Sequence, residues 1–98
     1  MPLTVRLEDG HHKEVNRVSN PFFAYEILQN VSFLEKTKLL KYINLWGDTT
    51  FNQMQMDDLL SDFKFLKEYD NSPVIDEIIK LIIECKNDVH TYVVFYGD

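Results

Sequence analysis

Three histidines, one cysteine and several neighbouring carboxylates are the side chains in this chain that could do chemistry. Metal binding is the first possibility. His11 and His12 are adjacent, with Glu14 beyond them and His90 far along the chain. Adjacent residues on a strand point to opposite faces, so the pair makes poor co-ligands. They read as exposed turn histidines, and no metal is expected. Nucleophilic catalysis is the second possibility. Cys85 lies on the apolar side of a helical segment beside Ile78 and Ile82. A thiol packed there is inert. A nucleophilic cysteine needs an electropositive, partly exposed setting and a base. His90 follows five residues later, past the end of that helix. Acid–base catalysis by paired carboxylates is the third. Asp57-Asp58 and Asp76-Glu77 both sit where helices start, and the helix dipole already accounts for acids there. No Gly-rich phosphate loop, Ser-His-Asp order or zinc-spaced set of ligands occurs. The sequence is therefore read as non-enzymatic, with no catalytic residue and no cofactor.

The segment Trp46-Gly47-Asp48-Thr49-Thr50-Phe51-Asn52 stands apart from the helical sequence on either side. Two large aromatics crowd a glycine, a carboxylate and an amide. A loop that carries Trp and Phe either pins them into the core or offers them to a partner. Asp48, Thr49 and Thr50 can bond their own backbone to hold a tight turn, and Gly47 suits a positive φ. The expectation is that Trp46 and Phe51 are largely buried. A pocket walled by Trp46, Asp48 and Phe51 would instead suit an enzyme or small-ligand-binding protein. Asp48 and Asp98 each follow an aromatic-Gly pair, and two such turns in contact would form an acidic notch. More commonly such an Asp caps a neighbouring backbone.

Several elements must position these groups. Leu3 to Glu8 alternates apolar and polar residues, the pattern of a half-buried strand. Asp9-Gly10 signals a hairpin turn. Val15 and Val18 suit a return strand, although Asn16-Arg17 interrupt the alternation. Asn20-Pro21 reads as an N-cap and first helical residue, opening a short helix to about Gln29 that buries Phe23, Ile27 and Leu28. Ser32-Phe33-Leu34-Glu35 has the form of a capping box and predicts a helix through Leu40 and Ile43, ending before Gly47. Thr49-Thr50-Phe51 is briefly extended. Met56, Leu59, Leu60, Phe63 and Leu66 form one apolar stripe at helical spacing. Asp70-Asn71-Ser72-Pro73 breaks that helix, and Ser72 caps the next. The last helix is apolar over more than half its circumference, through Val74, Ile75, Ile78, Ile79, Leu81, Ile82, Ile83 and Cys85. That width predicts a central helix touched on two sides. Thr91 to Tyr96 is a strand apolar on both faces, which pairs with residues 3–8 inside a sheet. The predicted fold is α+β: a small antiparallel sheet, from an N-terminal strand or hairpin and the C-terminal strand, covered by three to four helices. Residues 1–98 form a single globular domain.

Charge and composition narrow the partners. Apolar residues make up 45% of the chain, which excludes disorder. No apolar run approaches the roughly 20 residues of a membrane span. The first residues lack the basic start and apolar run of a signal peptide, so a cytoplasmic location is expected. Residues 1–56 hold six acids and six bases, whereas residues 57–88 hold nine acids and four bases. That acidic half disfavours nucleic acid and anionic membranes and permits a basic protein partner. The same surplus also serves solubility alone. On a helical wheel centred on Phe63, the residues Asp58, Asp62, Phe65 and Tyr69 fall opposite the core stripe. Two aromatics beside two acids resemble the composition of protein interfaces. Alternatively, Phe65 and Tyr69 reach a second packing layer.

Gly47-Asp48-Thr49-Thr50-Phe51-Asn52 and the terminal Phe95-Tyr96-Gly97-Asp98 resemble small uncharacterised bacterial proteins that carry a Gly-Asp-Thr-x-Phe-Asn segment and a Gly-Asp end. The resemblance covers about a tenth of the chain. It implies a bacterial, cytoplasmic context and transfers no activity or functional residue. The leading expectation is a non-enzymatic protein-interaction domain acting through the acidic, aromatic surface of Asp58, Asp62, Phe65 and Tyr69. One specific form is an immunity-type inhibitor that masks a basic toxin, and a homo-oligomer is also compatible with such a surface.

Overall fold

The computed structural model describes residues 4–19, 29–44, 46–69 and 71–97. The helix expected from Pro21 to about Gln29, with its Asn20 cap and its Phe23, Ile27 and Leu28, lies almost wholly outside the described residues, as do Leu3, Asp70 and Asp98.

The chain forms an antiparallel sheet of four strands in the order β2-β1-β4-β3, with helices packed on one face. Strand β1 is Thr4–Asp9 and β2 is Glu14–Ser19. Strand β3 is Asp48–Phe51 and β4 is Thr91–Tyr96. The C-terminal strand pairs with β1 as predicted, from Thr4↔Tyr96 to Asp9↔Thr91. It also pairs with β3, which makes it an inner strand. Apolar sequence on both of its faces fits that place: Val93, Val94 and Phe95 are all buried.

The interrupted alternation in β2 has a structural cause. The ladder pairs Leu7 with Asn16 and Glu8 with Glu14, so Val15 is an extra residue in a bulge. Val18 returns to the core opposite Val5, whereas Val15 is 55% exposed. The hairpin turn also departs from the expected one. Its left-handed residue is His12, at φ 62°, and Gly10 has no positive φ. Asp9 organises the turn by accepting the His11 and Lys13 amides at 2.8 and 3.0 Å.

Helix α1 is only Val31–Leu34, followed by a 3₁₀ turn over Leu40–Tyr42. The predicted helix from Ser32 through Ile43 does not form. Its cap is Asn30, whose side chain accepts the Phe33 amide at 3.1 Å, and Glu35 closes the helix rather than boxing its start. Two competitors end it. Thr37 Oγ1 donates to the Leu34 carbonyl at 2.7 Å. The Asp62 carboxylate then takes the amides of Lys38, Leu39 and Leu40 at 2.6–3.1 Å, so those donors are lost to a continuing helix.

Helix α2, Met56–Tyr69, and helix α3, Pro73–Lys86, follow the sequence pattern closely. A 3₁₀ turn at Gln53–Gln55 leads into α2, closed by a reciprocal Asn52/Gln55 capping box. Met56, Leu59, Phe63 and Leu66 of α2 are fully buried. Helix α3 touches α2 on one side and β1, β2 and β4 on the other, which explains its broad apolar surface. Ile75, Ile78, Leu81, Ile82 and Cys85 are buried, while Ile83 faces outward. Phe95 joins the layers, stacking on Phe63 of α2 at 6.1 Å and meeting Phe51 of β3 edge-on at 5.8 Å.

Candidate functional site

The side of α2 away from the sheet was expected to carry Asp58, Asp62, Phe65 and Tyr69 as one surface. The structure divides it. Asp62 is 3% exposed, because its carboxylate is spent on the backbone of Lys38 to Leu40. It is a structural clamp and not a contact residue. A carboxylate can be buried at that depth because several N–H donors replace its hydration. The clamped strand of chain crosses the middle of the helix and leaves a polar end and an aromatic end. At the polar end, exposed Asp58 faces the Lys38 ammonium at 3.4 Å.

The aromatic end is assembled from two elements. Phe65 stacks on Phe33 of α1 with centroids 5.2 Å apart and planes 11° from parallel. Tyr69 meets Phe33 edge-on at 5.3 Å and Phe65 at 5.1 Å. Phe33 is buried, Phe65 half-buried and Tyr69 62% exposed. The packing alternative holds for Phe65, which lies against the core in a second layer, whereas Tyr69 is presented to solvent. Shallow grooves flank the trio. One is lined by Asp57, Leu60, Ser61, Lys64, Phe65 and Glu68, the other by Asn30, Ser32, Phe33, Lys36 and Tyr69. Phe33 was missed from sequence because its partners are 32 and 36 residues away and only the folded chain brings them together.

The loop before β3 also departs from expectation. Phe51 is in the core at 3% exposure, but Trp46 is 73% exposed, so the two rings do not wall a common pocket. Gly47 has no positive φ. The turn is held by Asn44, whose side-chain oxygen accepts the Trp46 amide at 2.9 Å and whose carbonyl accepts the Gly47 amide at 3.4 Å. Thr49 Oγ1 accepts the Asn44 amide at 2.9 Å. These local hydrogen bonds hold the turn with the indole exposed. Asp48 is exposed, and the notch proposed with Asp98 falls outside the described residues.

The densest cluster of titratable groups lies on the sheet face opposite α3. Glu8 is 0% exposed there. Its carboxylate accepts a hydrogen bond from the Tyr96 hydroxyl and lies 3.2 Å from Arg6 Nε and 3.3 Å from His12 Nδ1. Arg6 also approaches Glu14 at 3.2 Å and lies over the Tyr96 ring at 5.3 Å. Arg17 completes the row by bonding Glu14. Burial and the Glu8 carboxylate push the Tyr96 hydroxyl up to about 12. A phenol held protonated is a donor and not a base, and each charge meets an opposite one. Of these side chains only Glu8 is fully buried, while Arg6, Glu14, Arg17 and His12 stay accessible to solvent. Strand alternation in the sequence placed Glu8 outward but gave no sign that Tyr96 would cover it.

Cys85 is buried, its thiol donates toward the Thr91 carbonyl at 3.4 Å, and burial raises its pKa. Among the described residues no group of three or more His, Cys, Asp or Glu side chains is placed to hold a metal ion. No described helix is long and apolar enough to cross a membrane. Searches of family models, curated proteins and solved structures returned no significant match to this chain.

Proposed function

We propose that this chain is a non-enzymatic protein-interaction domain whose contact surface is the aromatic end of α2, built from Phe33, Phe65 and Tyr69. The observation that carries the reading is the exposed Tyr69 ring held in a fixed orientation by two packed phenylalanines. Aromatic rings already ordered before binding lose little entropy on association, and such rings dominate interface energetics. Asp58 stays exposed at the polar end of the helix, beyond the clamped segment, and Asp62 leaves the surface. Exposed Glu68 beside Phe65 and the acidic surplus of α2 and α3 favour a partner of basic character.

The test uses affinity capture from the native host with the wild-type chain and with Tyr69→Ala. Tyr69 is mostly exposed, so Tyr69→Ala should keep the fold within about 1 kcal/mol. A partner recovered by the wild type and lost with Tyr69→Ala supports the reading. A partner retained at equal strength by Tyr69→Ala moves the contact elsewhere. The immunity-type version adds a further expectation: charge reversal at Asp58 and Glu68 slows association, and the effect shrinks as salt rises.

A further inference from the structure

The two ends of strand β3 carry the two most exposed large hydrophobic residues described: Trp46 just before it, at 73%, and Met54 just after it, at 92%. Among the described residues strand β3 is an edge of the sheet, paired only with β4. The Gly97 amide donates to the Gly47 carbonyl at 2.8 Å, so the Gly47 carbonyl and the backbone groups of Thr49 and Phe51 turn inward toward β4. Those of Asp48 and Thr50 turn outward. The neighbouring amides on this edge are already used, Trp46 by Asn44 and Asn52 by Gln55.

We propose that the β3 edge pairs antiparallel with the same edge of a second copy of the chain, joining two sheets and covering Trp46 of each copy with Met54 of the other. A two-fold axis at Thr49 sets Asp48 of one copy opposite Thr50 of the other. That register engages both outward N–H groups and both outward carbonyls of each strand. Shifting it either way brings Asp48 against Asp48, or spends a pairing on the occupied Asn52 amide. Antiparallel pairing necessarily brings the Trp46 end of one strand beside the Met54 end of its mate. A thioether against an indole edge is a favourable contact. The opposite edge, β2, is unsuited to the same role. It carries the bulge at Val15 and the charged Glu14 and Arg17, devices that discourage strand addition. Four residues of edge make a small interface, so the pairing is reversible rather than obligate.

The experiment is sedimentation equilibrium over a concentration series, read alongside emission from Trp46, the only tryptophan. Mass should rise from monomer to dimer, and the emission should shift to the blue along the same curve. Two variants locate the interface. Thr50→Pro removes an outward N–H that β4 does not use, and proline is tolerated at such edge positions. Met54→Lys puts a charge against the indole. Each should weaken dimerisation at least about tenfold. Circular dichroism checks that Thr50→Pro folds, and Met54→Lys, at a solvent-exposed position, decides the matter if it does not. A chain that stays monomeric with concentration-independent emission overturns the proposal. So does a dimer whose dissociation constant is unchanged in Met54→Lys.

Discussion

Two carboxylates that look alike in sequence do unlike things at the residue scale. Asp62 is buried because three consecutive amides converge on it. Asp62→Ala leaves those donors without a partner and should cost about 3 kcal/mol in a urea titration. Asp58, exposed beside Lys38, should cost less than about 1 kcal/mol when replaced by Ala. Glu8 is the second buried carboxylate, and Tyr96 reports on it. Raising a phenol's pKa in the folded state means the folded state holds that proton more tightly. The resulting stability is present below the ordinary tyrosine pKa and is lost as pH rises through about 12. Ultraviolet titration of the folded protein should therefore show a late-ionising step that belongs to Tyr96. Tyr96→Phe should remove that late step.

Elements explain why the Trp46–Asn52 segment behaves as two halves. Phe51 belongs to β3 and meets Phe95 in the core, so Phe51→Ala should cost about 3–4 kcal/mol. Trp46 belongs to the preceding turn, and Trp46→Ala should change stability by less than about 0.5 kcal/mol. Gly47 has an ordinary backbone angle, and an added Cβ would meet only the Asn44 side chain, at 3.0 Å. Gly47→Ala should therefore shift stability by less than about 1 kcal/mol, against the larger loss that a positive φ would bring. Helix α2 divides in the same way. Phe65→Ala removes a stacked, half-buried ring and should destabilise clearly more than Tyr69→Ala. Denaturant midpoints of the two variants compare them directly.

The described residues form a sheet with helices α2 and α3 on one face, and on the other a row of paired charges beside the buried Val94. Strands β1 and β4 are inner strands, and β2 and β3 are edges. Hydrogen exchange should be slowest in β1, β4 and the buried turns of α2 and α3. The Asp48 and Thr50 amides should exchange fast in dilute protein and slow as concentration rises, if the β3 edges pair. Because Asp57, Asp58 and Asp76 each face a lysine, the acidic half is less open to a partner than its net charge suggests.

Apolar periodicity and the residues at helix starts were sufficient for helices α2 and α3, and strand patterning for β1 and for the pairing of β4 with β1. Those elements are specified by regular apolar spacing, by proline and acids at helix starts, and by β-branched runs, all of which act over a few residues. The α+β class follows from them. Tertiary structure alone decided the rest. The helix predicted after Ser32 stops because Asp62, far along the chain, draws off its amides. Phe33 joins Phe65 and Tyr69, Glu8 disappears beneath Tyr96, and Trp46 turns to solvent. The first three depend on a partner at long sequence separation, and the turn around Trp46 is held by single local hydrogen bonds. Neither leaves a periodic signature, because a single hydrogen bond or ring contact does not repeat along the chain.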